Sequence, residues 1–188
     1  MEKKFKEIDF VISYLYPKKI EEYLIKLPKK GCINFHPAPL PEFRGFIPYT
    51  FGILEGFPYW GVTAHYIDEE FDTGDIIQVK KFDSDLKIET SQSLERKSQI
   101  HLFKLFKETI NKISKGKELS RKKQAKGRYF SKKKFEDLRR INEKDTIEII
   151  NKKIRAFWYP PHPGAYIKIN GKEFSLINKE LLEYISKK

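Results

Sequence analysis

A chain of 188 residues, 39% of them hydrophobic and including 15 Phe and 10 Tyr, suits one domain with a small appendage and supplies a real core. Thirty-eight basic against 26 acidic residues give +12, which favours anionic partners, while the single Cys32 excludes an internal disulfide framework and fits a reducing compartment. No apolar run approaches the ~20 residues of a membrane helix, and the charged start has no apolar signal region behind it, so a cytoplasmic protein is expected.

Residues 9–14 (Asp-Phe-Val-Ile-Ser-Tyr) read as a buried strand, continuously apolar in the middle. Over residues 17–27, Ile20, Tyr23, Leu24 and Leu27 fall at helical spacing and predict an amphipathic helix that Pro28 to Gly31 ends. Residues 32–35 form the second strand, so the opening is a strand–helix–strand unit with a parallel pair. Asn34 and His36, two residues apart, project from one face of that strand. Pro37, Pro39 and Pro41 stop it at once, because proline cannot donate to a ladder. An amide and an imidazole therefore sit together at the carboxyl end of a strand, where open α/β sheets bind ligands.

Pro48 to Glu55 predicts a short helix closed by Gly56. Residues 60–68 and 75–82 are strands, joined by a tight, polar, exposed loop that carries Asp72 and Gly74. Ser91 to Ser114 carries Leu94, Leu102, Phe106, Ile110 and Ile113, a helical stripe ending at Gly116. Residues 116–140 hold 11 Lys or Arg against three acidic residues, +8 of the +12, interrupted by Tyr129, Phe130 and Phe135. This stretch is read as a solvated connecting face. Asp145 and Glu148 have capping-box spacing before the stripe Ile147, Ile150 and Ile154, which runs to Arg155. Residues 157–164 hold three prolines in four positions and must be a loop. Residues 165–169 and 172–177 flank Asn170-Gly171, the strongest short hairpin signal, and a helix near Leu181 closes the chain.

Asn34 and His36 alone are more readily ordinary strand-end residues than catalytic ones. Asp72 changes the weighing, because a carboxylate beside an imidazole orients it and raises its basicity, and an amide nearby can donate to a developing oxyanion. No serine lies near His36 in the sequence, and Cys32, of the same strand parity as Asn34, is expected to be buried. The absence of an activated nucleophile points to direct acyl transfer onto a substrate nucleophile such as an amine. His65 is read as structural, His101 and His162 have no evident partner, and no clustering of histidines suggests a metal.

At these residues the chain resembles the formyltransferase family that uses 10-formyltetrahydrofolate. The resemblance rests on Asn34-x-His36, on Pro39-Leu-Pro-x-Phe-Arg44-Gly45-x-x-Pro48, on Gly61-Val-Thr63 and on Asp72-x-Gly74-Asp-Ile-Ile. It covers residues 9–113 strongly. Arg155-Ala-Phe-Trp-Tyr-Pro-Pro-x-Pro-Gly-Ala165 and its hairpin resemble the C-terminal segment of members that formylate nucleotide-linked amino sugars. What the resemblance implies is an α/β fold with a Rossmann-like open, mostly parallel sheet, truncated at its N-terminus, and a small C-terminal helix and hairpin subdomain. The implied division is a catalytic domain over residues 1–115, a basic connecting segment over 116–140 and the subdomain over 141–188.

The resemblance also implies a triad. His36 would polarise the formyl group and handle protons, Asp72 would orient it and assist proton removal from the amine, and Asn34 would hold the oxyanion. The cosubstrate would be 10-formyltetrahydrofolate, with no metal. Its pterin would lie between Tyr14, Leu15, Tyr16 and Pro17 on one side and the loop with Asp68, Gly74 and Asp75 on the other, beside the turn of Arg44 and Gly45. Trp158 and Tyr159 are read equally as core or as a stacking surface for the acceptor. Two departures stand out: Ala38-Pro39 where members often have Ser followed by Leu, and no strand–helix–strand–helix–strand segment ahead of residue 9. The second predicts an open sheet edge, completed by a second chain or an oligomer. The acceptor is expected to be a nucleotide-linked amino sugar. The alternatives are methionyl-tRNA and, less well matched, glycinamide ribonucleotide; a non-catalytic folate-, nucleotide- or RNA-binding remnant is the reading from another class.

Overall fold

The computed structural model describes residues 8–16 and 18–186, and Pro17 of the expected pterin loop lies outside them. The chain divides into two compact units. One takes the chain up to Gly45, Trp60–Phe82 and Ser98–Tyr129; the other takes Phe46–Tyr59, Asp83–Lys97 and the chain from Phe130 onward.

The first unit opens with β1 (Phe10–Tyr14), a single short turn of helix α1 (Glu22–Lys26) and β2 (Gly31–His36). The helix is much shorter than the stripe over residues 17–27 predicts. Tyr23 is 69% exposed, and Glu21 provides no side-chain cap, so only one turn forms. After the two-residue β3 (Arg44–Gly45) come β4 (Trp60–Tyr66) and β5 (Ile76–Phe82). The sheet order is β1-β2-β4-β5.

The expected mostly parallel sheet is not what forms. Only β1–β2 is parallel; β2–β4 and β4–β5 are antiparallel. For β4–β5 the cause is residues 67–75, a connection without a crossover helix, which can join only antiparallel neighbours. The fold is α/β with a mixed open sheet. Its core is Ile33, Phe35, Val62, Ala64 and Ile77 with Leu102 and Leu105 of α3 (Ser91–Ser114). All seven residues of β4 are buried, which fixes the strand that faces β2. Helix α3 carries the predicted bounds. Its start is a reciprocal cap in which Ser93 N–H donates to Thr90 Oγ1 at 3.1 Å and Thr90 N–H to Ser93 Oγ at 2.9 Å. Gly116, at φ +66°, ends it.

In the second unit α2 (Pro48–Glu55) has proline in its first turn and Gly56 at its C-cap, as predicted. The basic stretch is not featureless: it contains β6 (Tyr129–Phe130), where the chain passes between the units, and α4 (Lys132–Arg139). Ser131 caps α4 by accepting from Lys134 N–H. Helix α5 (Ile147–Ala156) is capped by Thr146, whose hydroxyl accepts from Ile149 N–H. The expected Asp145–Glu148 box does not form, because the Asp145 carboxylate takes Asn142 N–H at 3.0 Å and Lys153 Nζ at 2.6 Å instead. The hairpin of β7 (Tyr166–Ile169) and β8 (Lys172–Ser175) turns on Asn170 and Gly171, both at positive φ as a type I′ turn requires, before α6 (Lys179–Ser186). Among the described residues no helix is long and apolar enough to cross a membrane.

Gly74 sets the β4–β5 connection by close approach. A Cβ there would lie 2.1 Å from Tyr66 O, a backbone atom that cannot swing away. Gly74→Ala is expected to destabilise the protein by roughly 3 kcal/mol or more, as a forced backbone shift does. Urea unfolding monitored by tryptophan fluorescence checks this, and a change below ~1 kcal/mol would show that the loop can slide.

Candidate active site

Strand β2 ends on His36, where Pro37 interrupts the ladder. In the β2–β4 register Asn34 pairs with His65 and His36 with Thr63, so four polar side chains share one face. Thr63 fixes the proline-rich exit of β2: its hydroxyl donates to Ala38 O at 2.8 Å and accepts from Leu40 N–H at 3.1 Å. Asp72 reaches the same place from the β4–β5 loop. Its Oδ1 lies 3.6 Å from His36 Nδ1 and 3.6 Å from His65 Nε2, and Asn34 Nδ2 lies 3.2 Å from His65 Nε2.

The Asp72 carboxylate is anchored by backbone. Gly45 N–H donates to Oδ2 at 2.9 Å. Asp72 sits at φ 58°, in the left-handed region that Asp tolerates better than most residues. Gln124 holds the loop, donating from Nε2 to Asp72 O at 3.1 Å and Gly74 O at 2.6 Å. Its Oε1 accepts from Arg44 Nη2 at 2.8 Å.

Each imidazole is tied at its other nitrogen to a main-chain carbonyl: His36 Nε2 to Phe43 O at 2.7 Å and His65 Nδ1 to Tyr66 O at 2.6 Å. A carbonyl only accepts, so those nitrogens carry the protons. The buried His36 imidazole is held below its ordinary range by desolvation, which outweighs the pull of Asp72. Burial alone would raise the Asp72 carboxyl, but His36, His65 and the Gly45 N–H outweigh it and hold the group well below the usual carboxylate range.

The other expected site residues divide. Tyr14 packs its ring at 5.8 Å from Phe35 and 5.3 Å from Phe106, and burial raises its hydroxyl. Leu15, at φ 55°, and Tyr16 are about half exposed. A cleft of about 600 Å³ opens at this end of β1, lined by Ser13, Tyr14, Tyr16, Lys18, Lys19 and Leu24. A second, of about 330 Å³, lies among Lys19, Arg44, Phe71, Thr73 and Tyr129. Asp68 braces its own loop, accepting from Glu70 N–H and the Thr73 hydroxyl. Asp75 contributes its carbonyl to Tyr66 N–H at 2.8 Å. Trp158 and Tyr159 belong to the second unit. There Tyr159 donates to Glu95 at 2.6 Å, and burial together with that carboxylate pushes its hydroxyl up to about 12. Cys32 is buried, its thiol raised by burial and donated to Leu24 O at 3.1 Å.

From the sequence His65 is read as structural and Gln124 is not singled out. His65 shares strand parity with Thr63, which with an antiparallel β2–β4 register would have placed it opposite Asn34. No local signal marks Gln124.

A family model described as formyl transferase matches residues 2–110. The chain belongs to the formyl transferase family. It is 30% identical over 183 residues to the methionyl-tRNA formyltransferase of Thermodesulfovibrio yellowstonii, spanning 96% of this chain but about 58% of that protein's length. The crystal structure of a 4-N formyltransferase from Francisella tularensis superposes with TM-score 0.80 at 27% identity, covering 89% of this chain and 69% of that one. The N-formyltransferase from Helicobacter canadensis, in complex with folinic acid and dTDP-3-aminofucose, superposes with TM-score 0.75 at 26% identity, covering 92% and 63%.

The directions at His36 and Asp72 predict acid sensitivity of one sign. Both folded values lie below the unfolded ones, so each contributes stability that is complete above its ordinary value and declines as pH falls toward the folded value. The His36 contribution begins to decline as pH drops through about 6.5, and the Asp72 contribution below about 3.8. Tm measured from pH 8 to 4 is expected to fall from near pH 6.5 downward and to fall less steeply in His36→Gln. Equal slopes in the two proteins would remove His36 as the cause.

Proposed function

We propose that this chain transfers a formyl group from 10-formyltetrahydrofolate to the primary amine of a nucleotide-linked amino sugar. The observation that carries the reading is the convergence of Asn34, His36 and Asp72 at the carboxyl end of β2, in a chain of the formyl transferase family. The cosubstrate supplies an activated carbonyl bonded to nitrogen, which the incoming amine displaces. The first unit has room for it, since clefts of about 600 and 330 Å³ that share Lys19 are of small-molecule size.

The chain's own residues then divide the work. Asn34 presents an amide N–H to the oxygen that gains charge when the amine attacks. His36, neutral and with its unprotonated Nδ1 turned toward Asp72, takes the proton that the amine loses. The Asp72 carboxylate stabilises the imidazolium so formed, as its anchored charge allows. That proton leaves with the nitrogen of the displaced carrier, so no group on the chain ends the cycle altered. No covalent enzyme intermediate is needed, consistent with a buried, raised Cys32 thiol.

The nucleotide-sugar acceptor is supported by the likeness to the Helicobacter canadensis structure with its bound dTDP-3-aminofucose, which covers 92% of this chain. The second reading, methionyl-tRNA as acceptor, is favoured by the Thermodesulfovibrio yellowstonii relative and by the +8 of residues 116–140. Formyl transfer by the purified chain is measured with a dTDP-linked amino sugar and with methionyl-tRNA. The sugar is expected to be formylated, and His36→Ala or Asp72→Asn to lower the rate by roughly 10²–10⁴-fold while folate binding persists. Transfer only to the tRNA would select the second acceptor. No transfer to either, with RNA binding that weakens steeply with salt, would overturn the enzyme reading.

A further inference from the structure

The second imidazole of the cluster has no part in the steps above, yet its hydrogen bonds constrain the amide that does. His65 is 2% exposed and is the last residue but one of β4. Nδ1, 2.6 Å from Tyr66 O, must carry a proton, which in the neutral ring leaves Nε2 with a lone pair. Two groups lie near that lone pair: the Asp72 Oδ1 at 3.6 Å, beyond hydrogen-bond distance, and the side-chain amide of Asn34 at 3.2 Å, which is the one that can hydrogen-bond it. The amide must therefore turn its NH₂ end to His65. Its carbonyl end is directed elsewhere, and its second N–H stays available as a donor. Tyr66 O is itself held in place, since it lies against the backbone of Gly74 in the β4–β5 turn.

We propose that His65 is a positioning residue that sets which end of the Asn34 amide faces the reacting carbonyl. The inference rests on the formyl-transfer reading for its consequence but not for its geometry. Without the Nε2 acceptor the amide is free to flip and offer Oδ1, a second negative dipole, to the developing oxyanion.

Two substitutions separate the two nitrogens. Gln at 65 places an acceptor near the Nε2 position, whereas Asn keeps a donor near Nδ1 and offers nothing to Asn34. His65→Asn is expected to lower kcat by roughly 10²-fold, the usual effect of losing one oxyanion donor, with KM for the folate unchanged. His65→Gln is expected to recover most of that loss. In an Asn34→Ala background His65→Asn should cost no further kcat, since it acts through the missing amide. Equal losses in the Gln and Asn variants, or additive losses with Asn34→Ala, would reduce His65 to a packing residue. The geometric part is tested without any turnover by long-range ¹H–¹⁵N NMR of the imidazoles at neutral pH. The Nδ1–H tautomer is expected for His65, and the Nε2–H tautomer would overturn the inference even in a chain that formylates well. Loss of activity in every variant and the parent, with the Nδ1–H tautomer present, would instead count against the formyl-transfer reading.

Discussion

A buried carboxylate that stays charged needs partners, and nearly every local feature around Asp72 supplies or supports one. The Gly45 N–H takes one oxygen directly. That amide is available because Gly45, at φ 91°, turns β3 in a way a side chain would resist. The carboxylate arrives there only if the loop holds Asp72 at positive φ, and the loop is held by Gln124 on two of its carbonyls and by the tight passage at Gly74. Leaving such a charge without hydrogen bonds costs several kcal/mol in real proteins. The turn after β2, the β4–β5 loop and the segment around Gln124 are thus bound together by one electrostatic requirement.

The two histidines obey a parallel rule. Each gives a proton to a main-chain carbonyl, Phe43 O or Tyr66 O, and so turns its other nitrogen toward Asp72. Their neighbours then separate them. His36 Nδ1 faces the Asp72 carboxylate, 3.6 Å from its Oδ1. His65 Nε2 has the Asn34 amide within hydrogen-bond distance and acts as an acceptor already occupied. Identical side chains acquire different roles because β4 pairs one of them opposite an amide.

The strand and helix pattern was legible where burial imposes a period. Ser91–Ser114 carries its predicted bounds because its apolar stripe stops at Gly116, and Pro48–Glu55 because a proline opens it and Gly56 closes it. Strand direction was not legible: residues 31–36 and 60–66 have the same apolar character whether they run parallel or antiparallel. The first helix shrank because its stripe over residues 17–27 finds no partner for Tyr23. At the site, Asn34, His36 and Asp72 could be found by type and spacing, since each bears a functional group near a chain break. His65 was hidden because its partner lies across the sheet, and Gln124 because it acts through backbone atoms 50 or more residues away.

Charge counting needs the same correction. The +8 of residues 116–140 invites an RNA partner, but part of it already contacts rings and carbonyls of this chain, through side chains that stay exposed at Arg121, Arg128 and Lys134. Arg121 lies 3.5 Å from the centre of the Tyr66 ring and donates to Lys30 O at 2.8 Å. Arg128 lies 5.3 Å from the Phe43 ring, Lys134 4.8 Å from the Phe130 ring, and Arg139 pairs with Glu136 at 2.6 Å while donating to Gly164 O. Cations committed to rings and carbonyls must break those contacts before they can neutralise phosphates, so the counterion release they could drive is smaller than their number suggests. A nucleotide-linked sugar offers two phosphates and asks for far fewer cations than a tRNA backbone.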